Sequence, residues 1–201
     1  RPEDIVPCIR CNDGCLRRTI GFSRSTSCAV NPRMGFESIR NISSIKEKKK
    51  VAIIGGGPGG MEAARLATLR GHDVTLYEKR ELGGALVDAC WDKELKRYIP
   101  LLFDYYKTQM KKLNIDVLYE EAMVDTIMKG GFDAAIVANG ALPVKLDIPG
   151  MDKPHVYEAL DITGGKEEEL GNTLVVIGGG VLACEIAISQ ARKGKHVIMT
   201  D

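Results

Sequence analysis

Residues 51–78 read VAIIGGGPGGMEAARLATLRGHDVTLYE, and this stretch decides the fold. VAII is a short apolar run of the kind found in a strand buried on both faces of a parallel sheet. GGGPGG follows at once, and MEAARLATLR then reads as a helix closed by Gly71. DVTLYE is a second strand, so the stretch is one βαβ unit with a glycine loop at its first turn. In Gly55-x-Gly57-x-x-Gly60 the first glycine makes the turn and the second lets backbone approach a diphosphate. The third lets helix pack on strand. Pro58 and Gly59 complete the loop, whose helix start offers free N–H groups and a positive dipole end. Glu78 lies 23 residues past Gly55, where an acid is suited to accept from ribose hydroxyls.

The pattern returns downstream. Residues 174–201 align with residues 51–78 without a gap. Ile54, Gly55–Gly57, Glu62, Ala64, Gly71 and Val74 match Ile177, Gly178–Gly180, Glu185, Ala187, Gly194 and Val197. The second loop is Gly178-x-Gly180-x-x-Ala183, with alanine in the third place, and Asp201 stands where Glu78 stands in the first. Two nucleotide-type units in one chain predict two nucleotide sites, with NADH against NADPH left open. Between them, residues 92–113 are expected to be helical with a bend at Pro100. IDVLY and DAAIVA are expected strands, NGALP a loop leaving a strand end, and YEALDITGGK a crossover.

Ahead of Val51 the character differs. Residues 1–45 are polar, rich in Ser, Arg, Cys and Gly, and lack a sustained period. They carry Cys8, Cys11, Cys15 and Cys28, spaced C-x2-C-x3-C-x12-C. Four thiolates suit a cubane [4Fe–4S] cluster or tetrahedral zinc; free or disulfide-bonded cysteines are the third reading. Arg10, Arg17, Arg18 and Arg24 are placed to offset an anionic cluster or to be ordinary surface. Cys90 and Cys184 read as packing residues, Trp91 as packing or cofactor cover, and the three histidines as isolated.

The totals exclude several classes. Of 201 residues, 44% are hydrophobic, enough for a sizeable core, and the net charge of +1 gives no case for nucleic acid or an anionic membrane. The runs KEKKK (46–50) and KEEE (166–169) read as solvated connections. No apolar segment long enough to span a bilayer occurs, and the first ten residues lack a signal-peptide core. A cytoplasmic protein is expected, its cysteines serving metal or redox chemistry.

Taken in order, PCIRCNDGC, SCAVNPRMG, VAIIGGGPGGMEAARLATLRGHDVTLYEKRELGGAL and the second glycine loop resemble the C-terminal half of the iron–sulfur flavoenzymes related to old yellow enzyme. These include 2,4-dienoyl-CoA reductase, 2-enoate reductase and trimethylamine dehydrogenase. The resemblance covers essentially the whole chain. It implies a glutathione-reductase-like FAD/NAD(P)-binding α/β fold of Rossmann type, truncated, behind an iron–sulfur cysteine segment. Divisions are expected at 1–45 (cysteine segment), 46–165 (FAD domain, incomplete) and 166–201 (first βαβ unit of the NAD(P) domain).

On this resemblance Cys8, Cys11, Cys15 and Cys28 hold [4Fe–4S], and Gly55, Gly57, Gly60 and Glu78 hold FAD. Lys79, Gly84 and Leu86 line the flavin side. Asn139 and Gly140 stand where many relatives have Thr-Gly. NAD(P)H passes hydride to FAD, and single electrons reach FMN in a TIM barrel that reduces a C=C bond. No catalytic residue is assigned in this chain. No barrel precedes Arg1, so a piece of a longer enzyme is expected, with the barrel as its partner, a weakly held flavin and an air-sensitive cluster; an oligomer is left open. The rival readings are the electron-transfer subunit of a glutamate-synthase-type flavoprotein and a non-redox ADP-binding module. A thioredoxin-reductase-like enzyme is rejected, since its C-x-x-C is missing from the second nucleotide unit.

Overall fold

In the computed structural model, which describes residues 1–144 and 147–200, the chain divides into two compact units. The first comprises Arg1–Leu86 and Tyr98–Ala141; the second comprises Val87–Arg97 and Leu142–Asp201.

The first unit is built on β1 (Lys50–Ile54), α1 (Pro58–Arg70) and β2 (Asp73–Tyr77), as the quoted stretch requires. A short helix, α2 (Ala85–Ala89), follows, then α3 (Ile99–Lys112), β3 (Asp116–Leu118), α4 (Val124–Lys129) and β4 (Ala134–Val137). The four strands form one parallel sheet in the order β3-β2-β1-β4. Strand order therefore reverses beside β1. In open parallel sheets, ligands bind outside the carboxyl ends of the strands at such a reversal.

The core is where the hydrophobic pattern puts it. Ile53 and Leu76 from the sheet, Met61 from α1 and Leu102 from α3 are almost wholly buried. Burying side chains of this size stabilises the fold by about 1.5–3 kcal/mol each. The cysteine segment belongs to the same core: Val30 is a member, and Val6, Ile9 and Cys28 pack against it. Asp4 fastens the start of the chain to α3 by accepting from Lys112 Nζ (2.5 Å) and Gln109 Nε2 (3.2 Å). These two bonds, that from Lys112 first, hold the Asp4 carboxyl below its ordinary pKa.

Two expectations need correction. Residues 92–98 are turns, and α3 begins only at Ile99. Pro100 therefore sits in the first helical turn, where its missing N–H costs no bond, and does not bend a longer helix. Asp92 organises the turn that precedes α3: its Oδ1 accepts from the backbone N–H groups of Glu94 and Leu95. Around the first cysteines the chain is also more regular than its composition suggests, with a π-type helix over Asp13–Gly21.

The second unit contains α5 (Ala159–Thr163), β5 (Thr173–Ile177), α6 (Val181–Arg192) and β6 (His196–Thr200). β5 and β6 pair in parallel with the repeat's register, Val175 opposite Ile198. α6 buries Ile186, Ala187, Ser189 and Gln190. Val175 and Ile177 on β5 are largely exposed, unlike the buried β1. No helix among the described residues is long and apolar enough to cross a membrane.

Candidate functional site

The loop after β1 is held closed from every side. The Gly55 N–H donates to Tyr77 O (2.8 Å), the Ala138 N–H to Ile54 O (2.8 Å) and the Gly83 N–H to Gly56 O (2.9 Å). Gly55 has φ +106°, a conformation in which any side chain is strained, and an added Cβ would lie 2.4 Å from Ala138 O. A Cβ on Gly60 would lie 1.8 Å from Gly55 O, so α1 reaches this close to β1 only as glycine. Gly57 and Gly84 approach backbone to backbone: a Cβ on Gly84 would lie 2.9 Å from Gly57 Cα. Gly59 alone faces open space, with nothing within 4 Å of its Cβ position. α1 starts with Pro58, and its first bonded amide is that of Met61, donating to Gly57 O (2.9 Å). The N–H groups of Gly59 and Gly60 thus stand at an open helix N-terminus, the usual station of a phosphate.

Glu78 is buried, and both carboxylate oxygens are engaged. Oε2 accepts from the Gly56 N–H (2.7 Å) and Oε1 from the Arg80 N–H (2.8 Å). Each oxygen keeps lone pairs for a further donor such as a ribose hydroxyl. The acid therefore clamps the glycine loop as well as marking the end of β2, a role the spacing alone does not reveal. Leu82 completes the clamp: a Cβ on Gly56 would meet its Cδ2 at 2.7 Å.

The remaining first-unit candidates spread out. Lys79 extends to Glu121 (3.2 Å) in an exposed pair. Leu86 packs against the core. Asn139 is exposed, but its Cα would be 3.0 Å from a Cβ on Gly55, so it borders the glycine loop. Gly140 is open, with φ +80°.

The second loop repeats the backbone and not the crowding. Gly178 has φ +114°, and its N–H donates to Thr200 O (2.7 Å), matching Gly55 and Tyr77. The Cys184 N–H donates to Gly180 O (3.0 Å), matching Met61 and Gly57. Nothing lies within 4 Å of a Cβ on Gly178 or Gly180. Ala183 lies half-buried on α6. Asp201 lies outside the described residues. Glu185 is taken by Lys96, whose Nζ lies 2.6 Å from Oε1, both side chains about four-fifths buried. Sequence reasoning missed this partner, because residues 89 positions apart carry no local signal.

The four cysteines share the first unit. Cys8 and Cys11 are exposed, Cys15 and Cys28 half-buried, and none is in a disulfide. The residue before Cys28 docks on the residue before Cys15 by backbone: the Ser27 N–H donates to Gly14 O (2.8 Å), and a Cβ on Gly14 would lie 2.8 Å from Ser27 O. The Arg10 N–H lies 3.3 Å from Cys8 Sγ, and its guanidinium stacks 4.0 Å over the Tyr98 ring. Arg10 and Asn12, on either side of Cys11, both have positive φ. Four free thiols are a donor set of the right kind for a cubane cluster. Among the described residues, no three Cys, His, Asp or Glu side chains are gathered closely enough to hold a metal ion. Cys90 lies apart, its thiol pushed up by burial.

Comparison with known proteins agrees with this architecture. Cinnamate reductase of Clostridium sporogenes is 37% identical over 99% of this chain, which covers 30% of that protein. NADH oxidase of Thermoanaerobacter brockii is 35% identical over 100% of the chain and 32% of that protein. The solved structure of a 2-naphthoyl-CoA reductase superposes with a TM-score of 0.89 at 38% identity, over 99% of this chain and 30% of that one. The chain thus spans about 30% of the length of these relatives, and the motif-level resemblance to enoate-reductase-type oxidoreductases is met by them. A family model described as pyridine nucleotide-disulphide oxidoreductase matches residues 49–201, from the strand before the first glycine loop through the whole second repeat. This chain belongs to that family.

Proposed function

We propose that this chain is the electron-input part of an NAD(P)H-dependent flavin and iron–sulfur oxidoreductase. The first glycine loop carries the reading. Gly55–Gly60 is closed by Glu78 and Leu82 yet open at Gly59, so that free N–H groups face a space left by a missing side chain. FAD, or its ADP half, is assigned there, with the diphosphate on Gly57, Pro58, Gly59 and Gly60 and the ribose on Glu78. Gly84, Leu86, Lys79, Asn139 and Gly140 are assigned to the flavin side. The nicotinamide nucleotide is assigned to Gly178, Gly180 and Ala183, with Asp201 toward its ribose and Glu185 as a supporting residue.

Cys8, Cys11, Cys15 and Cys28 would hold the [4Fe–4S] cluster, and the functional divisions follow residues 1–45, 46–165 and 166–201. FAD held there would supply hydride acceptance from NAD(P)H, and the cluster would supply a one-electron route toward FMN in a partner TIM barrel acting on the C=C bond of an enoate or dienoyl substrate. This chain's residues bind and orient. The α1 N-terminus neutralises diphosphate charge. Glu78 fixes the loop that presents those amides, and Arg10 fixes the Cys8–Cys11 turn against Tyr98.

The test is anaerobic reconstitution with FAD, iron and sulfide, followed by NADH and NADPH in separate titrations. Bound flavin that bleaches on NAD(P)H addition, with four iron per chain lost in a Cys15→Ser variant, supports the reading. ADP binding with no flavin reduction by either nucleotide would instead indicate a non-redox nucleotide module.

A further inference from the structure

We propose that the cavity walled by Arg17, Arg18 and Arg24 is a binding site for a small phosphate-type anion, a phosphate monoester or diphosphate. None of the glycine-loop residues lines it. The cavity measures about 320 Å³, and besides the arginines its lining includes Asp13, Phe22 and the Gly14–Ser27 floor.

The chain goes to some length to gather these guanidinium groups. Ser23 sits at φ +48°, an uncommon conformation for a residue with a side chain, and reverses the chain after Phe22. The reversal lets the Arg24 N–H donate to Arg18 O (3.1 Å), which brings two cationic residues side by side. Arg18 Nε donates to Ser25 O (2.7 Å), fixing that guanidinium while leaving its terminal N–H groups uncommitted. Arg17 donates once to Asp13 (3.0 Å). The Arg24 side chain has no hydrogen bond or ion pair among the described residues. Three permanent positive charges thus border one opening that contains a single carboxylate, so two are unbalanced.

The floor is rigid. Gly14 O accepts from both the N–H and the Oγ of Ser27, and their close approach leaves no room for a side chain. Guanidinium forks on a fixed floor match the planar, bidentate acceptors of a phosphate better than a point ammonium would. Phe22 at the wall lies under the Arg17 guanidinium, 5.5 Å from ring centroid to Cζ, which helps hold that fork beside the opening.

The test uses the whole chain, iron-free, with amide NMR during titration by inorganic pyrophosphate and, separately, by ADP. Saturable shifts at Gly14, Arg24 and Ser27 are expected, weakening as salt rises. In both Arg24→Gln and Arg18→Gln the affinity falls about tenfold or more, and Arg24→Lys restores only part of it. Tighter ADP than pyrophosphate binding at these amides identifies the ligand as a nucleotide; equal binding identifies the diphosphate itself, and either supports the site. Shifts confined to Gly55–Gly60, the absence of saturation, or an Arg24→Gln variant that binds as well as the parent overturns it. Absence of saturation would also mean that the arginines serve only the charge of metal-bound thiolates.

Discussion

Neighbouring glycines in the first loop should respond oppositely to the same substitution. In Gly60→Ala the new methyl would lie 1.8 Å from Gly55 O, far inside the 3.4 Å at which ordinary contact begins. Gly55 cannot retreat. Its N–H is bonded to Tyr77 O, and on its other side a Cβ would already lie 2.4 Å from Ala138 O, just past the end of β4. α1 must therefore move outward, and with it Met61 and Ala64, both fully buried. Overpacking of this kind costs typically about 1–3 kcal/mol, and the severity of the clash points to the upper end. With a urea m-value of about 2 kcal/mol/M, the midpoint should fall by roughly 1–1.5 M. In Gly59→Ala the methyl meets nothing within 4 Å, and the residue is helical without a positive φ. That change should stabilise by about 0.4–1 kcal/mol through the unfolded chain. Native-state hydrogen exchange at the Gly55 and Glu78 amides reads the stability of the first unit directly. ADP affinity should fall in Gly60→Ala, because the amides at the helix start move with α1. Two variants that change stability in the same direction, or a Gly60→Ala protein as stable as the parent, would refute the close-packing argument.

Glu78→Gln should loosen the loop from the other side. A carboxamide offers one acceptor and turns a donor toward the Gly56 or Arg80 N–H, so one charge-assisted bond worth about 1.5–3 kcal/mol is lost. Urea unfolding and ADP calorimetry should show that loss together with at least tenfold weaker binding; unchanged values in both would exclude the clamp. In the second unit, the Leu95 N–H, with the Ser189 hydroxyl and the Glu94 N–H, holds the Asp92 carboxyl below its ordinary pKa of 3.8. With its folded pKa depressed, Asp92 binds fewer protons folded than unfolded. Its contribution is therefore complete above the ordinary value and disappears as pH falls through the lower folded one. Acid unfolding followed by fluorescence of the adjacent Trp91 should show a shallower acid limb in Asp92→Asn, and an identical limb would remove Asp92 from the account.

Much of the frame was legible from residues alone because its signals are short-range. An apolar run, a glycine that must adopt positive φ and a helix stopped by Gly71 each state a local backbone demand. Together they set β1, α1 and β2, and the gapless repeat set β5, α6 and β6 in the same way. Gly55, Gly57, Gly60 and Glu78 are marked as candidates by spacing, the one that suits a βαβ unit built to take a dinucleotide. The cysteine spacing likewise marks Cys8, Cys11, Cys15 and Cys28 as a candidate donor set, while among the described residues no three such side chains are gathered to hold a metal ion.

What tertiary structure decided lies in contacts between distant residues. That Glu78 clamps the glycine loop depends on β1 and β2 lying side by side. That Glu185 is held by Lys96, and that Val30 and Cys28 join the Rossmann core, depends on packing across long separations. α3 starts only at Ile99, after a turn in which Asp92 holds two amides, a local detail that hydrophobic period does not weigh. The cavity among Arg17, Arg18 and Arg24 exists only because Ser23 reverses the chain and Ser27 docks on Gly14. Sequence specifies which groups are present and which backbone shapes they demand; distance between charges is set only when the core has closed and each backbone donor has found its acceptor.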